Sequence, residues 1–435
     1  MDNYQDLLFP ILEAINKYQS NVFIIDQGQS ITYFDFFKIA KKIYAHLPKG
    51  NVLINVKKKS LYGATFLAAL MRESLPFLRN PFESYSPLDK YPFDIIIDDE
   101  MIKGFLEDEK EVDYQYRPID PLSPAAVILS SGTSKDSKAI VLSHRGMISN
   151  IVSGFKIYEV EPGWKFVNIL PMDHAFGITS DFVDLLLKGC TVIYSYTILE
   201  FFSNLKNYAP NSINITLNIC QTILSMLKQN GKNAVAGDNL IKILVGGSKC
   251  DLQLINEFKP FGISICTSYG LTECSPCISI SSPTVFKDGS DGKIFDCHHV
   301  EIQEDGEIVV KGDSIMLNYY DDYMRGEIVN EIHTKDIGYI EEGFIFVVGR
   351  KDNLIVLSNG TKIQPEVFEA KLKENKGVED AVLYMKNNRL TLDVVLAGDN
   401  TFDVETALNY LDIDINYVSE IKKNQMGKVS RKDYR

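Results

Sequence analysis

The chain has 435 residues, of which 45% are hydrophobic and 24% charged, the balance of a soluble globular protein with two or three folding units around one large core. A net charge of −13 argues against broad binding to nucleic acid or anionic membranes, whose phosphates reward the opposite sign, while leaving room for a local basic pocket. No apolar run reaches the roughly 18 residues that suggest a membrane span. The opening MDNYQDLLFPILEAINKYQ is acidic and lacks the basic flank of a secretion signal, so a cytoplasmic location is expected.

In chain order, VFIIDQGQSITYFDFFKIAKKIYAHL predicts two short strands joined by a turn, then a helix with Phe36, Phe37, Ile39, Ala40 and Ile43 mostly at helical spacing. NVLINV reads as a strand, LYGATFLAALMRE as a largely apolar helix, and DIIIDDE as a buried strand ending in acids. From 125 to 275 strands such as AAVILSS, AIVLSH, CTVIYSY, NITLNI, IKILVGG and ISICTSY alternate with helical stretches. That alternation predicts mostly parallel sheets covered by helices, with ligands in the loops that follow the strands. After about residue 290 the texture becomes β-rich, and roughly 353 to 435 alternates strand and helix on a smaller scale. No repeat, low-complexity tract or long linker interrupts the chain.

Seven cysteines at no framework spacing read as reduced thiols. Cys274 and Cys277 have the spacing of a zinc or redox half-site, but no second pair follows, so they are expected to flank another site.

Three stretches carry the chemistry. SSGTSKDSK, from Ser130 to Lys138, is a loop of small and hydroxyl residues after a strand. Such a loop can aim backbone N–H groups at a phosphate, with Ser130, Ser131, Thr133 and Ser134 as hydroxyl donors, Gly132 between them and Lys138 as a point charge. SYGLTE, from Ser268 to Glu273, also follows a strand, and NQMGKVSRKDYR places Lys428 near the end of the sequence. Singly they read as a solvated loop, a turn and a basic tail. Together they resemble the superfamily of AMP-forming ligases: acyl-CoA synthetases, luciferases and the adenylation domains of peptide synthetases. The resemblance covers about residues 20 to 435, with the motifs in order.

The resemblance implies an α/β fold. It consists of a large N-terminal AMP-binding domain over 1–351, with mostly parallel sheets, helices and a β-rich subdomain, and a small mobile α+β C-terminal lid over 353–435 hinged at Asp352. It implies ATP-dependent activation of a carboxylic acid to an acyl-adenylate with release of pyrophosphate, then transfer to a thiol with release of AMP. ATP, Mg²⁺ and a thiol acceptor, CoA or phosphopantetheine on an acyl carrier protein, follow. Lys428 would bridge acid and phosphate as two anions approach. Thr272 would donate to the α-phosphate and Glu273 would hold Mg²⁺, a hard cation that prefers oxygen ligands. Tyr269 would offer adenine a flat face, with Gly246 and Gly247 leaving room for the base. Asp336 would bind both ribose hydroxyls, and Arg350 would reach ribose or phosphate. PMDHAFGIT, around His174, matches the segment that opens the acid pocket, with His174 as gate or orienting group; a lone histidine near apolar residues also reads as a satisfied core residue. GEIVVKGDSIMLNYY matches as well and reads as structural.

The sequence departs from the family pattern at several points. Lys135 and Ser137 replace a glycine and a proline of the phosphate loop, Ala139 replaces a further glycine, and Lys335 stands where a glycine usually precedes the acid. RNPFESYSPLDKYPFDIIIDDE is expected to lack a helix, which would trim the N-terminal part. Amino-acid-activating members place an aspartate at the position that falls at or near Gly177, with Asp181 and Asp184 close by. A neutral aryl or fatty acid is therefore expected, with an amino-acid-activating enzyme and a non-catalytic adenylate-binding relic as alternatives.

Overall fold

The computed structural model describes residues 6–110, 112–130, 137–357, 362–375, 377–387, 389–398, 413–422, 429 and 434. Ser131, Gly132, Thr133, Ser134 and Lys428 lie outside the described residues.

Local signals start the elements where expected. Thr32 caps the helix Tyr33–Tyr44 by accepting the Asp35 N–H at 3.0 Å, and the helix buries Tyr33, Phe36, Ala40 and Ile43 at helical spacing. Phe23, Phe36 and Phe182 meet beside it, with ring centroids 5.1 to 5.8 Å apart. The helix Lys59–Met71 is buried on all sides, which explains its lack of a polar face. Between the strands Leu75–Leu78 and Ile95–Ile97 lies a single 3₁₀ turn, Pro87–Lys90, capped by Ser86. The helix expected to be missing there is absent.

Two large sheets carry the molecule. A six-stranded sheet runs in the order Asn318–Tyr319, Ala139–Ser143, Pro124–Leu129, Leu75–Leu78, Asn51–Ile54, Ile95–Ile97, parallel through its last four strands. A thirteen-stranded sheet has two textures. Ser264–Gly270, Lys242–Gly246, Ser212–Thr216, Lys165–Asn168, Thr191–Tyr194 and Val22–Asp26 are parallel neighbours, and Gln29–Thr32 closes that edge as a hairpin. Beyond Ser264–Gly270 the sheet continues antiparallel through Cys277–Ile280, Lys293–Ile294, Phe344–Arg350, Ile332–Glu341, Glu307–Gly312 and His298–Ile302. The β-rich stretch is thus an extension of the parallel sheet.

The last part has a core of its own. The strands Val378–Lys386, Arg389–Leu396 and Ile413–Tyr417 form a sheet covered by the helix Pro365–Lys373, burying Leu372, Val378, Leu383, Leu392 and Val394. The structure agrees with the mixed α/β architecture expected from the sequence. Among the described residues no helix is long and apolar enough to cross a membrane.

Candidate functional site

The motif residues lie after the parallel strands Pro124–Leu129 and Ser264–Gly270, where open α/β sheets bind ligands, and on the antiparallel ladder of Ile332–Glu341 with Phe344–Arg350. The base of the 130–138 loop is closed by two hydrogen bonds: the Ser130 N–H donates to the Lys138 carbonyl at 2.8 Å, and the Lys138 N–H to Ser130 Oγ at 3.0 Å. The strands Pro124–Leu129 and Ala139–Ser143 pair antiparallel on either side, so Lys138 leaves the loop at a fixed point.

Lys138 Nζ sits 4.3 Å from the centroid of the Tyr319 ring, within cation–π range. The Tyr319 hydroxyl donates to Glu273 Oε1 at 3.4 Å. Tyr319 had no predicted role. It arrives because Asn318–Tyr319 crosses back to pair with Ala139–Ser143, Tyr319 opposite Ile140. A two-residue strand has no periodicity to betray that crossover, and the aromatic pair in LNYY was the only signal.

Glu273 follows Thr272 in the 3₁₀ turn Thr272–Cys274; Thr272 is buried, and the Glu273 carbonyl accepts the Met316 N–H at 2.7 Å. The turn packs tightly: a Cβ on Gly270 would lie 2.0 Å from the Pro276 carbonyl oxygen, so only glycine fits there. Burial pushes the Glu273 carboxyl above its usual range, while its hydrogen bonds and the charges of Arg350 and Lys138 pull it back.

On the antiparallel side, Asp336 and Arg350 are cross-strand partners of Ile332–Glu341 and Phe344–Arg350. Arg350 Nη1 donates to Asp336 Oδ1 at 2.9 Å, and the Tyr269 hydroxyl donates to Asp336 Oδ2 at 2.7 Å. The positive charges of Arg350 and Lys138 both lower the Glu273 carboxyl, so the two groups feel each other electrostatically. Lys335 has φ = +60°, the left-handed region that glycine enters without strain. The neighbouring backbone is pinned: the Lys335 N–H donates to Glu307 Oε1 at 3.0 Å, and the Asp336 N–H to Thr334 Oγ1 at 3.0 Å.

The remaining expected residues have these surroundings. Gly246 ends its strand and Gly247 has φ = +82°, but the space beside Gly246 is filled, since a Cβ there would lie 2.7 Å from Phe176 Cε1. His174 caps the short helix Ala175–Ile178, its Nδ1 accepting the Phe176 N–H at 3.4 Å. Cys274 and Cys277 are buried free thiols, pushed upward by burial, and no group of residues that could hold a metal through histidine, cysteine or acids occurs among the described residues.

The acids near Gly177 are engaged. Asp181 is 2% exposed and accepts from both Asn168 Nδ2 and Asn214 Nδ2. Lys59 Nζ donates to Asn168 Oδ1 at 2.7 Å and to the Leu170 carbonyl at 3.0 Å. Burial raises the Asp181 carboxyl to about 7 and lowers Lys59 to about 8. Asp184 pairs with Lys188 at 3.2 Å.

A family model described as "AMP-binding enzyme" matches residues 87–320, more than half of the chain. A 2-succinylbenzoate–CoA ligase of Bacillus subtilis (strain 168) is 25% identical over 403 residues, covering 82% of this chain and 80% of the relative. The corresponding ligase of Bacillus pumilus (strain SAFR-032) is 28% identical over 274 residues, and this chain spans only about half (55%) of its length. Among solved structures, an O-succinylbenzoate coenzyme A synthetase (MenE) from Bacillus subtilis in complex with AMP superposes with a TM-score of 0.80 at 18% identity, covering 97% of each chain. MatB from Rhodopseudomonas palustris with bound ATP superposes with a TM-score of 0.84 at 16% identity, covering 99% of this chain and 98% of that one. The fold is shared with both, and the chain belongs to the AMP-binding enzyme family.

Proposed function

We propose that this chain uses ATP to convert a carboxylic acid into an acyl-adenylate, releasing pyrophosphate, and passes the acyl group to a thiol, releasing AMP. One observation carries the reading: Lys138, Tyr319 and Glu273 form one contacting group and Arg350, Asp336 and Tyr269 a second, each holding a cation, an acid and a phenol. An adenosine polyphosphate needs both signs, cations for its phosphates and an acceptor for its ribose.

The residues fit that ligand. Asp336, which accepts from Arg350 and Tyr269, is the carboxylate that this reading assigns to the ribose hydroxyls. Lys138 and the hydroxyls of Ser130 and Thr272 are donors for phosphate oxygens, with Ser131, Gly132, Thr133 and Ser134 completing the loop in sequence. Glu273 is the hard-oxygen ligand for Mg²⁺, which when bound supplies charge neutralisation between phosphates. The Gly247 backbone and the Tyr269 ring border the base, Phe176 occupying the space beside Gly246, and His174 orients the acid or gates its pocket.

Lys428 acts when the carboxylate attacks the α-phosphorus. Two anions must meet, and a mobile ammonium touching both lowers the barrier by about 3–4 kcal/mol, roughly 10²–10³ in rate. In this reading residues 1–351 form the large AMP-binding unit and 353–435 a lid turning about Asp352. The separate core of the lid supports this, as does the exposure of Asp352, whose side chain is 57% accessible in the turn Lys351–Asn353. Asp352→Pro is expected to slow overall turnover; unchanged turnover removes the hinge from that turn.

The acid is small, aryl or fatty, and the acceptor is CoA, named in the relatives, or a carrier-protein phosphopantetheine. An α-amino acid is disfavoured. A Cβ on Gly177 would lie 1.9 Å from the Pro171 carbonyl oxygen, so no ammonium-binding side chain can stand there. Asp181 and Asp184 are already held by Asn168, Asn214 and Lys188.

Pyrophosphate exchange across aryl, fatty and amino acids tests the reading. Exchange with aryl or fatty acids is expected; exchange with amino acids alone moves the substrate class, and none with any acid leaves a binding protein. Lys428→Ala should abolish adenylate formation and spare thioester formation from supplied acyl-adenylate. An equal loss in both half-reactions overturns the role of Lys428.

A further inference from the structure

Residues 316–319 tie together two parts of the site that are distant in sequence. The Met316 N–H donates to the Glu273 carbonyl at 2.7 Å, and the Leu317 N–H to the Val141 carbonyl at 2.8 Å. Asn318, only 5% exposed, fixes the next peptide: its Oδ1 accepts the Tyr319 N–H at 2.8 Å and its Nδ2 donates to the Glu327 carbonyl at 3.0 Å. The backbone thus sets Tyr319 beside the strand Ala139–Ser143, which begins just after Lys138, and near the turn Thr272–Cys274 that bears Glu273.

The Tyr319 side chain meets both charges. Its ring takes the Lys138 ammonium, 4.3 Å from the centroid, and its hydroxyl donates to Glu273 Oε1 at 3.4 Å. Lys138 lies near enough for its charge to lower the Glu273 carboxyl, yet among the described residues no ion pair joins the two. A direct pair would be a charge-assisted hydrogen bond, and it would have to break before a phosphate could claim the ammonium and Mg²⁺ the carboxylate. A ring face holds an ammonium through its quadrupole and offers no lone pair, so it does not commit the lysine donors to an acceptor. The neutral phenol hydroxyl orients the carboxylate without cancelling its charge. An aliphatic side chain would do neither.

We propose that Tyr319 is a positioning residue for the nucleotide and its metal: it keeps Lys138 and Glu273 from neutralising each other and presents one to phosphate and the other to Mg²⁺. This rests on the acid-activation reading and adds a residue to its machinery.

Calorimetric titration with ATP in EDTA, without any acid, reads the lysine side. Tyr319→Leu should weaken ATP binding about three- to tenfold, the scale of one cation–π contact. That loss should vanish in a Lys138→Met background, because the ring acts through the ammonium. Equal losses with and without Lys138 make Tyr319 a packing residue and overturn the inference, as does unchanged affinity in Tyr319→Leu. Mn²⁺ titrated into the ATP-loaded protein and followed by electron paramagnetic resonance reads the carboxylate side. Tyr319→Phe keeps the ring, so metal-free ATP affinity should stay within about twofold while Mn²⁺ binding weakens about threefold or more. Unchanged Mn²⁺ binding in Tyr319→Phe overturns the inference, and this arm decides even if the leucine variant fails to fold. A wild-type protein that binds no ATP removes the acid-activation reading and this inference with it. Wild-type binding with indifferent variants removes the inference alone.

Discussion

Two acid–base pairs in this molecule have the same chemistry and opposite placement. Asp336 and Arg350 stand on an antiparallel ladder, and the Arg350 side chain keeps 42% of its surface in solvent. Asn168 and Asn214 on parallel strands meet Lys59 and Asp181 from the helical segments that cover them, where Asp181 is 2% and Lys59 8% exposed. The first pair keeps its cation partly in solvent, where a ligand can meet it. The second spends its hydrogen bonds within the protein, so burial governs its protonation. A charged residue near a site is informative only once its partners are counted.

The contrast breaks most visibly at Lys59. Lys59→Met leaves Asn168 Oδ1 and the Leu170 carbonyl without their buried donor, and each unsatisfied buried polar group typically costs about 1–3 kcal/mol. Denaturant unfolding should show that loss; a variant as stable as the wild type dissolves the distinction between the two pairs. At Asp336 the loss should appear in binding. Asp336→Asn should raise KM for ATP by roughly 10- to 100-fold, from about 1.5–3 kcal/mol for hydrogen bonds to a charged group, with the melting temperature little changed. A fall in stability with unchanged KM would make Asp336 another structural acid.

The pH dependence sharpens the comparison. The Asp181 pKa is raised on folding, to about 7 from 3.8, so between those values the folded protein holds a proton that the unfolded chain has released. Its contribution to stability is therefore greatest below that window and falls as pH rises through it, by at most about 1.4 kcal/mol per pH unit. Asp181→Asn should remove this component from the stability profile, and an unaltered profile would place the titration elsewhere. The smallest effect is at Lys335, where φ is +60°. Lys335→Gly relieves left-handed strain but loses an exposed contact to Asp352 at 3.5 Å, and should change stability by at most about 1 kcal/mol in the stabilising direction.

Much of this was legible in the sequence, for identifiable reasons. Alternating strand and helix patterns gave the parallel sheets, because buried strands and amphipathic helices have different periods. Thr272 and Glu273 follow a strand and Arg350 ends one, while Asp336 sits mid-strand as the cross-strand partner of Arg350. What escaped depended on contacts without a local signature. Tyr319 reaches Lys138 through a two-residue strand, Asn318 opposite Val141 and Tyr319 opposite Ile140, paired to a segment far away in sequence. The filling of the space beside Gly246 by Phe176, and the pairing of Asp181 with two asparagines, are packing outcomes between elements distant in sequence.

The carbonyl of Pro171 has a wider consequence. By occupying the position where position 177 would project a side chain, it closes one route of divergence to this scaffold. A lineage or a designer seeking amine-bearing substrates must first re-route the backbone ahead of His174, or else recruit a charge from the opposite wall. One peptide oxygen thus restricts which chemistries this chain can reach by single substitutions.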